Sequence, residues 1–170
     1  MRKSPGYSGV NIRLVDYTAL TSTQREQLRA LEVHPEQLPY CGDIDCALYS
    51  LPSAGHPGIK GFTLLVGEQP LAFFLLKRHP LLPHWAEPDS ATLHALQVDK
   101  RAQGQGLGRA CLQALPQAAR QAWPEIRRVM LSVDPANRPA IGLYLQQGWA
   151  DTGEAYRSKD GFERRLALTL

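Results

Sequence analysis

The chain has 170 residues, 44% of them hydrophobic and 21% charged, which is an ordinary globular balance with apolar surface enough for a real core. A formal net charge of +3 is mild, and without a basic stripe interleaved with aromatics it argues against a nucleic-acid partner. The longest apolar run, residues 71–76, is too short to span a bilayer, and the basic start lacks an apolar h-region, so neither a membrane span nor a secretory signal is expected.

In chain order, residues 1–8 read as a loose tail and 10–15 alternate well enough for a first strand. Residues 21–31 read as an N-capped helix, with Thr23 and Glu26 at capping-box spacing. A second helix is expected over 35–51, ended by Pro52 and a Gly/Pro-rich stretch to Gly61. The apolar runs 62–66 and 71–77 flank Gly67-Glu68-Gln69-Pro70 and read as a hairpin. Three prolines make 79–90 a loop, after which 91–98 is a central strand. A helix should run from about Gly106 to Ala122, kinked or weakened at Pro116. Residues 127–133 form the next strand, and Asn137 is a good N-cap for a helix through Gln147 that Gly148 ends. Strands from Trp149 and over 162–170 close the chain. No linker divides this order, so a single mixed α/β domain over 1–170 with a three-layer core is expected.

Cys41, Cys46 and Cys111 are an odd number with no second Cys/His pair at zinc spacing, and read as thiols of a reducing compartment, the cytoplasm. No metal site is expected.

The chemistry concentrates in residues 92–115, where a strand, a basic glycine-dense turn and a helix follow one another. Such a turn holds phosphate: free backbone N–H groups and the positive end of the helix dipole converge on the anion. Lys100, Arg101 and Arg109 cluster there, as a small phosphate ligand would require. Spacing narrows the ligand. The dinucleotide pattern G-x-G-x-x-G/A fails from Gly104, where Arg109 stands last, and from Gly106, where Cys111 does. No Walker run G-x-x-x-x-G-K-[ST] exists. A plain tight βα turn would explain one glycine but hardly three alternating ones.

What fits is Gln103-x-x-Gly106-x-Gly108 directly after a strand ending in Val98. This resembles the [Arg/Gln]-x-x-Gly-x-[Gly/Ala] signature of the GCN5-related N-acetyltransferases (GNAT superfamily). The stretch from Asn137 through Ala140, Leu143 and Tyr144 to Gly148-Trp149 resembles the family's second signature, N-x-x-A-x-x-L-Y-x-x-x-G-F, with Trp closing it. The resemblance implies an α/β (mixed α+β) fold of three layers, with a central, mostly antiparallel, splayed sheet flanked by helices. It also implies acetyl-CoA as co-substrate, no metal, and transfer of acetyl to a primary amine by direct attack on the thioester.

Carried onto this chain, the resemblance places backbone contacts to coenzyme A on Leu96, Gln97 and Val98, with the N–H near Val98 holding the thioester carbonyl. Gln103, Gly104, Gln105, Gly106, Leu107, Gly108 and Arg109 would wrap the pyrophosphate. Asn137 either caps its helix or joins the coenzyme contacts. Tyr144, seven residues on and so on the same helical face, is either a core aromatic or the acid that protonates the departing thiolate. A base is also needed. His94 matches the second histidine of a proton-exit pair in the arylalkylamine N-acetyltransferases, as base or proton relay, while Thr92 stands at the first. Where ribosomal-protein N-terminal acetyltransferases carry a Glu, this chain has Ser132.

The acceptor implied is a small-molecule amine or a protein or peptide amine, with no nucleic acid and no membrane as partner; a homodimer is admitted. Acidic residues (Glu36, Asp43, Asp45, Glu87, Asp89) and aromatics (Tyr40, Tyr49, Trp85) in the helices and loops could greet a cation, or could be solvated surface. Two other readings stay open: a catalytically inactive coenzyme A or acyl-CoA-binding sensor or interaction module, and a protein that uses the turn for ATP or NAD.

Overall fold

The structure, a computed structural model, describes residues 10–53, 55–159 and 161–170; the tail expected over 1–8 lies outside the described residues. Seven strands make up the sheet: β1 (Ile12–Asp16), β2 (Ile59–Val66), β3 (Gln69–Lys77), β4 (Ser90–Val98), β5 (Arg128–Val133), β6 (Ala150–Ser158) and β7 (Gly161–Thr169). Their order is β1-β2-β3-β4-β5-β7-β6, antiparallel throughout except for the parallel pair β4 and β5. The helices are α1 (Ser22–Arg29), α2 (Leu38–Cys41), α3 (Ile44–Tyr49), α4 (Leu107–Ala122) and α5 (Arg138–Gln146).

Why β3 sits inside the sheet is legible in its residues. From Pro70 to Leu76 every side chain is buried, as a strand covered on both faces requires. Phe74 and Leu76 face one layer, where Leu107, Cys111 and Leu115 of α4 and Tyr144 of α5 join them. Phe73 and Leu75 face the other, with Leu28 of α1 and Ile44 and Ala47 of α3. Helices on both faces of one sheet give the three expected layers.

Two departures from regular pairing make room for a site. First, β4 and β5 pair only from Ser90↔Arg128 to Thr92↔Met130, and beyond Thr92 no further pairs form. Second, β4 bulges against β3 between Phe73 and Leu75, where Ala95 takes a left-handed φ of 58°. A non-glycine residue in that region costs roughly 1 kcal/mol, and here Gln97 Nε2 donates to Ala95 O at 3.0 Å, bridging the bulge. The two strands therefore splay open.

Several local expectations are corrected. The capping box of α1 is formed by Thr21 and Gln24, through reciprocal bonds of 3.1 and 3.0 Å, because Thr21 is the last extended residue and Thr23 already lies in the helix. The second helix is broken into a short 3₁₀ turn, α2 and α3; Gly42, at φ 71°, reverses the chain between them. Asn137 occupies the N-cap position of α5 but makes no side-chain cap bond. The turn before it is held by Asp134 instead, whose Oδ1 accepts from Ala136 N at 2.8 Å. α4 runs through Pro116 and ends where expected.

Candidate active site

Where β4 and β5 part, a cavity of about 860 Å³ opens, lined by the exposed edges of both strands, the turn before α4, one side of α2 and α5, and the ends of β6 and β7. It is within the size range of small-molecule and cofactor sites.

The glycine turn closes one end. Gly104 and Gly106 have φ of 76° and 83°, a region that side chains rarely adopt, and a Cβ on either would meet nothing within 4 Å. The turn is thus glycine for its backbone and leaves open space in front. Gly108 has another reason: a Cβ there would sit 3.3 Å from Leu143 Cδ2, so its bareness lets α4 press on α5. Gly106 caps α4 without any side-chain bond, which leaves the first N–H groups of this 16-residue helix unsatisfied and its positive end facing the cavity.

Of the three basic residues expected to serve a phosphate here, only Arg109 lines the cavity. Lys100 pairs with Glu32 at 2.7 Å, and Arg101 pairs with Asp99 at 2.9 Å. Asp99 is itself 1% exposed; burial works against its charge, but the Arg101 bonds outweigh it and hold its carboxyl below the usual range. Gln103 is spent as a clamp: its amide donates to Val98 O at 2.9 Å and to Gln37 Oε1 at 2.8 Å, tying the turn before α2 to the end of β4. Gln105 does not line the cavity, whereas Gly104, Gly106, Leu107 and Gly108 do.

Along the splayed strand, Leu93, His94, Leu96, Gln97 and Val98 all border the opening. Asp99 N–H donates to Leu71 O on β3 at 2.9 Å. Successive N–H groups alternate along a strand, so that of Val98 turns the other way, toward the gap. His94 is largely buried, with Nε2 2.7 Å from Thr92 Oγ1; burial, helped by Lys77, pulls its imidazole down to about 4, so it is neutral at physiological pH.

Opposite lie Asn137 and Tyr144 of α5. Tyr144 is held by the way its helix stops. Gly148, at φ 91°, and Trp149 complete a Schellman motif: Gly148 N–H donates to Leu145 O at 3.2 Å and Trp149 N–H to Tyr144 O at 3.1 Å. The motif's apolar contact is the pair of rings, Tyr144 and Trp149, 5.6 Å apart at 56°. This explains Gly-Trp four residues after the Tyr: the dipeptide fixes the ring. Burial keeps the Tyr144 phenol strongly protonated, with Cys41 as a lesser contributor. Cys111, wholly buried in α4, is pushed up to about 12 and is no nucleophile.

Apart from Ser132, the far end is built by residues that no motif marked. Ser132, Asp134, Tyr156, Ser158, Lys159 and Glu163 line it, together with Tyr40 and Cys41 of α2. By contrast, none of Glu36, Asp43, Asp45, Glu87 and Asp89 lines the cavity, nor do Tyr49 and Trp85. Asp43 spends its carboxylate on Cys46 N at 2.7 Å as the cap of α3, and Tyr49 is 92% exposed. A carboxylate on an interior strand, such as Glu163 on β7, is the kind of signal that marks a site, but the strand order needed to read it is not local information.

Comparison with known proteins places this fold. The sequence model of the acetyltransferase (GNAT) family matches residues 19–149. No curated protein matches the chain by sequence. Among solved structures, the GNAT domain of S. lividans PAT is 22% identical with a TM-score of 0.65, over 95% of this chain and 90% of that one. The ribosomal-protein-S18-alanine N-acetyltransferase from Escherichia coli is 23% identical with a TM-score of 0.58, over 94% and 93%. The aminoglycoside acetyltransferase AAC(6')-Ib, solved with coenzyme A, is 19% identical with a TM-score of 0.67, over 94% of each chain. At these identities the likeness is one of fold.

Proposed function

The chain belongs to the acetyltransferase (GNAT) family, and from that premise we propose that it moves an acetyl group from acetyl-CoA to a primary amine by direct attack of the amine on the thioester. One observation carries the reading: β4 and β5 part after Thr92 and Met130, and the gap has a glycine turn at one end and a buried phenol looking into it.

The residues fit the co-substrate. Gly104 and Gly106 leave a bare, open-faced cradle, and the uncapped start of α4 with Arg109 offers donors to a pyrophosphate. On this reading the backbone of Leu96, Gln97 and Val98 lies along the pantetheine arm. The Val98 N–H meets the thioester oxygen, where a donor is worth most as negative charge develops. Gln103 contributes by holding the turn with its amide rather than by contacting the coenzyme. Gln105, which does not line the cavity, adds at most its backbone N–H. Asn137, freed from capping, borders the same gap.

Tyr144 supplies the proton to the leaving sulfur. A phenol kept protonated by burial suits an acid that must hold its proton until a thiolate departs. His94, neutral and bonded to Thr92, is suited to relaying a proton rather than competing with an amine for one. A thiol in a reducing cytoplasm agrees with Cys41, Cys46 and Cys111 being free. Among the described residues no helix is long and apolar enough to cross a membrane.

The test is thiol release from acetyl-CoA across an amine panel of aromatic amines, polyamines, aminoglycosides, amino acids and peptide N-termini, with the product identified by mass. Thiol release matched by amide formation with at least one amine is expected. Coenzyme A binding without release for any amine would support a non-catalytic binding module instead, and preferential binding of ATP or NAD would sink both.

A further inference from the structure

One stretch of the cavity wall has little beneath it. Val33 and Ile44 are buried, but none of the residues 34–43 between them is. At the centre of that stretch lies α2, four residues long, and a helix so short has little stability without packing. Yet Tyr40 and Cys41, which α2 carries, line the far end of the cavity.

A single side-chain pair holds this wall. Gln37 Nε2 donates to Gln103 Oε1 at 3.0 Å, and Gln103 Nε2 donates back to Gln37 Oε1 at 2.8 Å, closing a ring of two amides. Gln37 is the residue from which α2 starts, and its Oε1 also accepts from His34 N–H at 3.0 Å. Among the described residues, no other hydrogen bond or ion pair ties residues 34–43 to a distant part of the chain; the rest of their bonds are local. On the other side of the ring, Gln103 donates to Val98 O at 2.9 Å and directly precedes Gly104 of the open cradle.

Resting on the acetyl-CoA reading above, we propose that the Gln37–Gln103 pair is a latch that couples the two ends of the cavity. Coenzyme A held at the turn fixes α2 through it, and an amine lodged against α2 tightens the hold on coenzyme A in return. Gln37 is then a positioning residue, acting through α2 rather than on the reacting atoms.

The local chemistry suits a latch. A turn rich in glycine is free to move until a ligand orders it, and with Gln103 attached, ordering the turn orders α2 as well. Beyond α2, Gly42 at φ 71° has open space where a Cβ would stand, so the far side of the helix has a pivot. Two ligands that bias one shared element must strengthen each other by the same factor, because binding free energies are linked.

The experiment uses the full chain, with coenzyme A as the probe at the turn and 2-phenylethylamine, kanamycin and an Ala-led peptide as probes at the wall. In wild type, saturating coenzyme A should slow amide exchange over residues 38–42 about fivefold or more. In Gln37→Ala that slowing should shrink below about twofold, while the slowing over residues 104–109 persists. For an amine that is acetylated, the same variant should raise its KM about fivefold and keep kcat within about twofold. A variant that had merely lost folded protein would instead lose kcat at an unchanged KM. Gln37→Met keeps the length of the side chain without its amide and should behave as Ala does, so it carries the test if the Ala variant folds poorly. Gln37→Glu combined with Gln103→Arg replaces the amide ring by an ion pair and should restore most of the protection. Equal slowing over 38–42 in wild type and in the Ala or Met variant overturns the proposal, as does an unchanged amine KM. Wild-type protein in which coenzyme A slows 104–109 but not 38–42 also overturns it and leaves the coenzyme reading standing; protection absent from the turn overturns both. Coupled protection without thiol release from any amine leaves the latch standing and contradicts acetyl transfer.

Discussion

The two ends of the cavity are built on different principles. The end at the turn before α4 is backbone: two glycines at positive φ, an uncapped helix start and the free edge of β4 present N–H groups, with Arg109 as the charged side chain among those lining it. The end at β5, β6 and β7 is side chain: Ser132, Tyr156 and Glu163 arrive from three strands and present oxygens. Backbone donors suit an anion whose identity does not vary, while side-chain acceptors can change without disturbing the fold. On the proposed reading the difference teaches where specificity would reside: one end would read the coenzyme and the other the amine.

Substitutions should separate the two ends. The largest effect is expected between them, at Tyr144. Tyr144→Phe keeps the ring against Trp149 and removes only the proton, so kcat should fall about 10²- to 10³-fold while coenzyme A binds as before. Wild-type kcat in that variant would remove the acid from the mechanism.

His94 comes next, through stability. Its folded value of about 4 lies below the 6.5 of an unfolded chain, so unfolding takes up a proton in between. Its contribution is complete above about pH 6.5 and lost as pH falls toward 4, a change on the order of 2–3 kcal/mol. His94→Gln should flatten that acid limb in denaturant titrations at pH 7 and 4.5. An unaltered limb would mean the ring is protonated in the folded protein.

At the backbone end, Gly106→Val places a β-branched residue at φ 83° with its side chain in the open face of the cradle. Affinity for coenzyme A should fall by about 30-fold with kcat on saturated enzyme little changed, reflecting roughly 2 kcal/mol of strain and obstruction. Calorimetry reads it. The smallest effect is Gln37→Ala, which frees Gln103 from one partner: a loss of about 1 kcal/mol in stability, seen in thermal melts, with Gln103 still bonded to Val98 O.

The same contrast governs what could be read from the residues alone. Gly104, Gly106 and Gly148 were legible because each encodes a local backbone need, and all three sit at positive φ. Continuous apolar runs marked β3, and the helical period marked α4. The loop acids were not legible as structural residues, because their partners are distant or their bonds local: Asp89 lies 3.5 Å from Arg128, and Asp43 caps its own helix. Lys100 and Arg101 look like phosphate ligands until Glu32 and Asp99 are seen beside them. Glu163 stayed hidden for the opposite reason. Nothing near it in sequence is unusual, and its meaning depends on β7 lying between β5 and β6 and on the irregular pairing of β6 with β7 near Arg157. Asn137 shows the intermediate case, a residue type that caps so well that only the folded structure reveals it does not.

The most direct measurement is amide hydrogen exchange with and without coenzyme A, then with amine added. Coenzyme A is expected to slow exchange at Val98 and over residues 104–109 and to leave the β6–β7 end unchanged, and an amine substrate to add protection at that end. Protection by coenzyme A that is absent from the turn, or centred on β6 and β7, would contradict it.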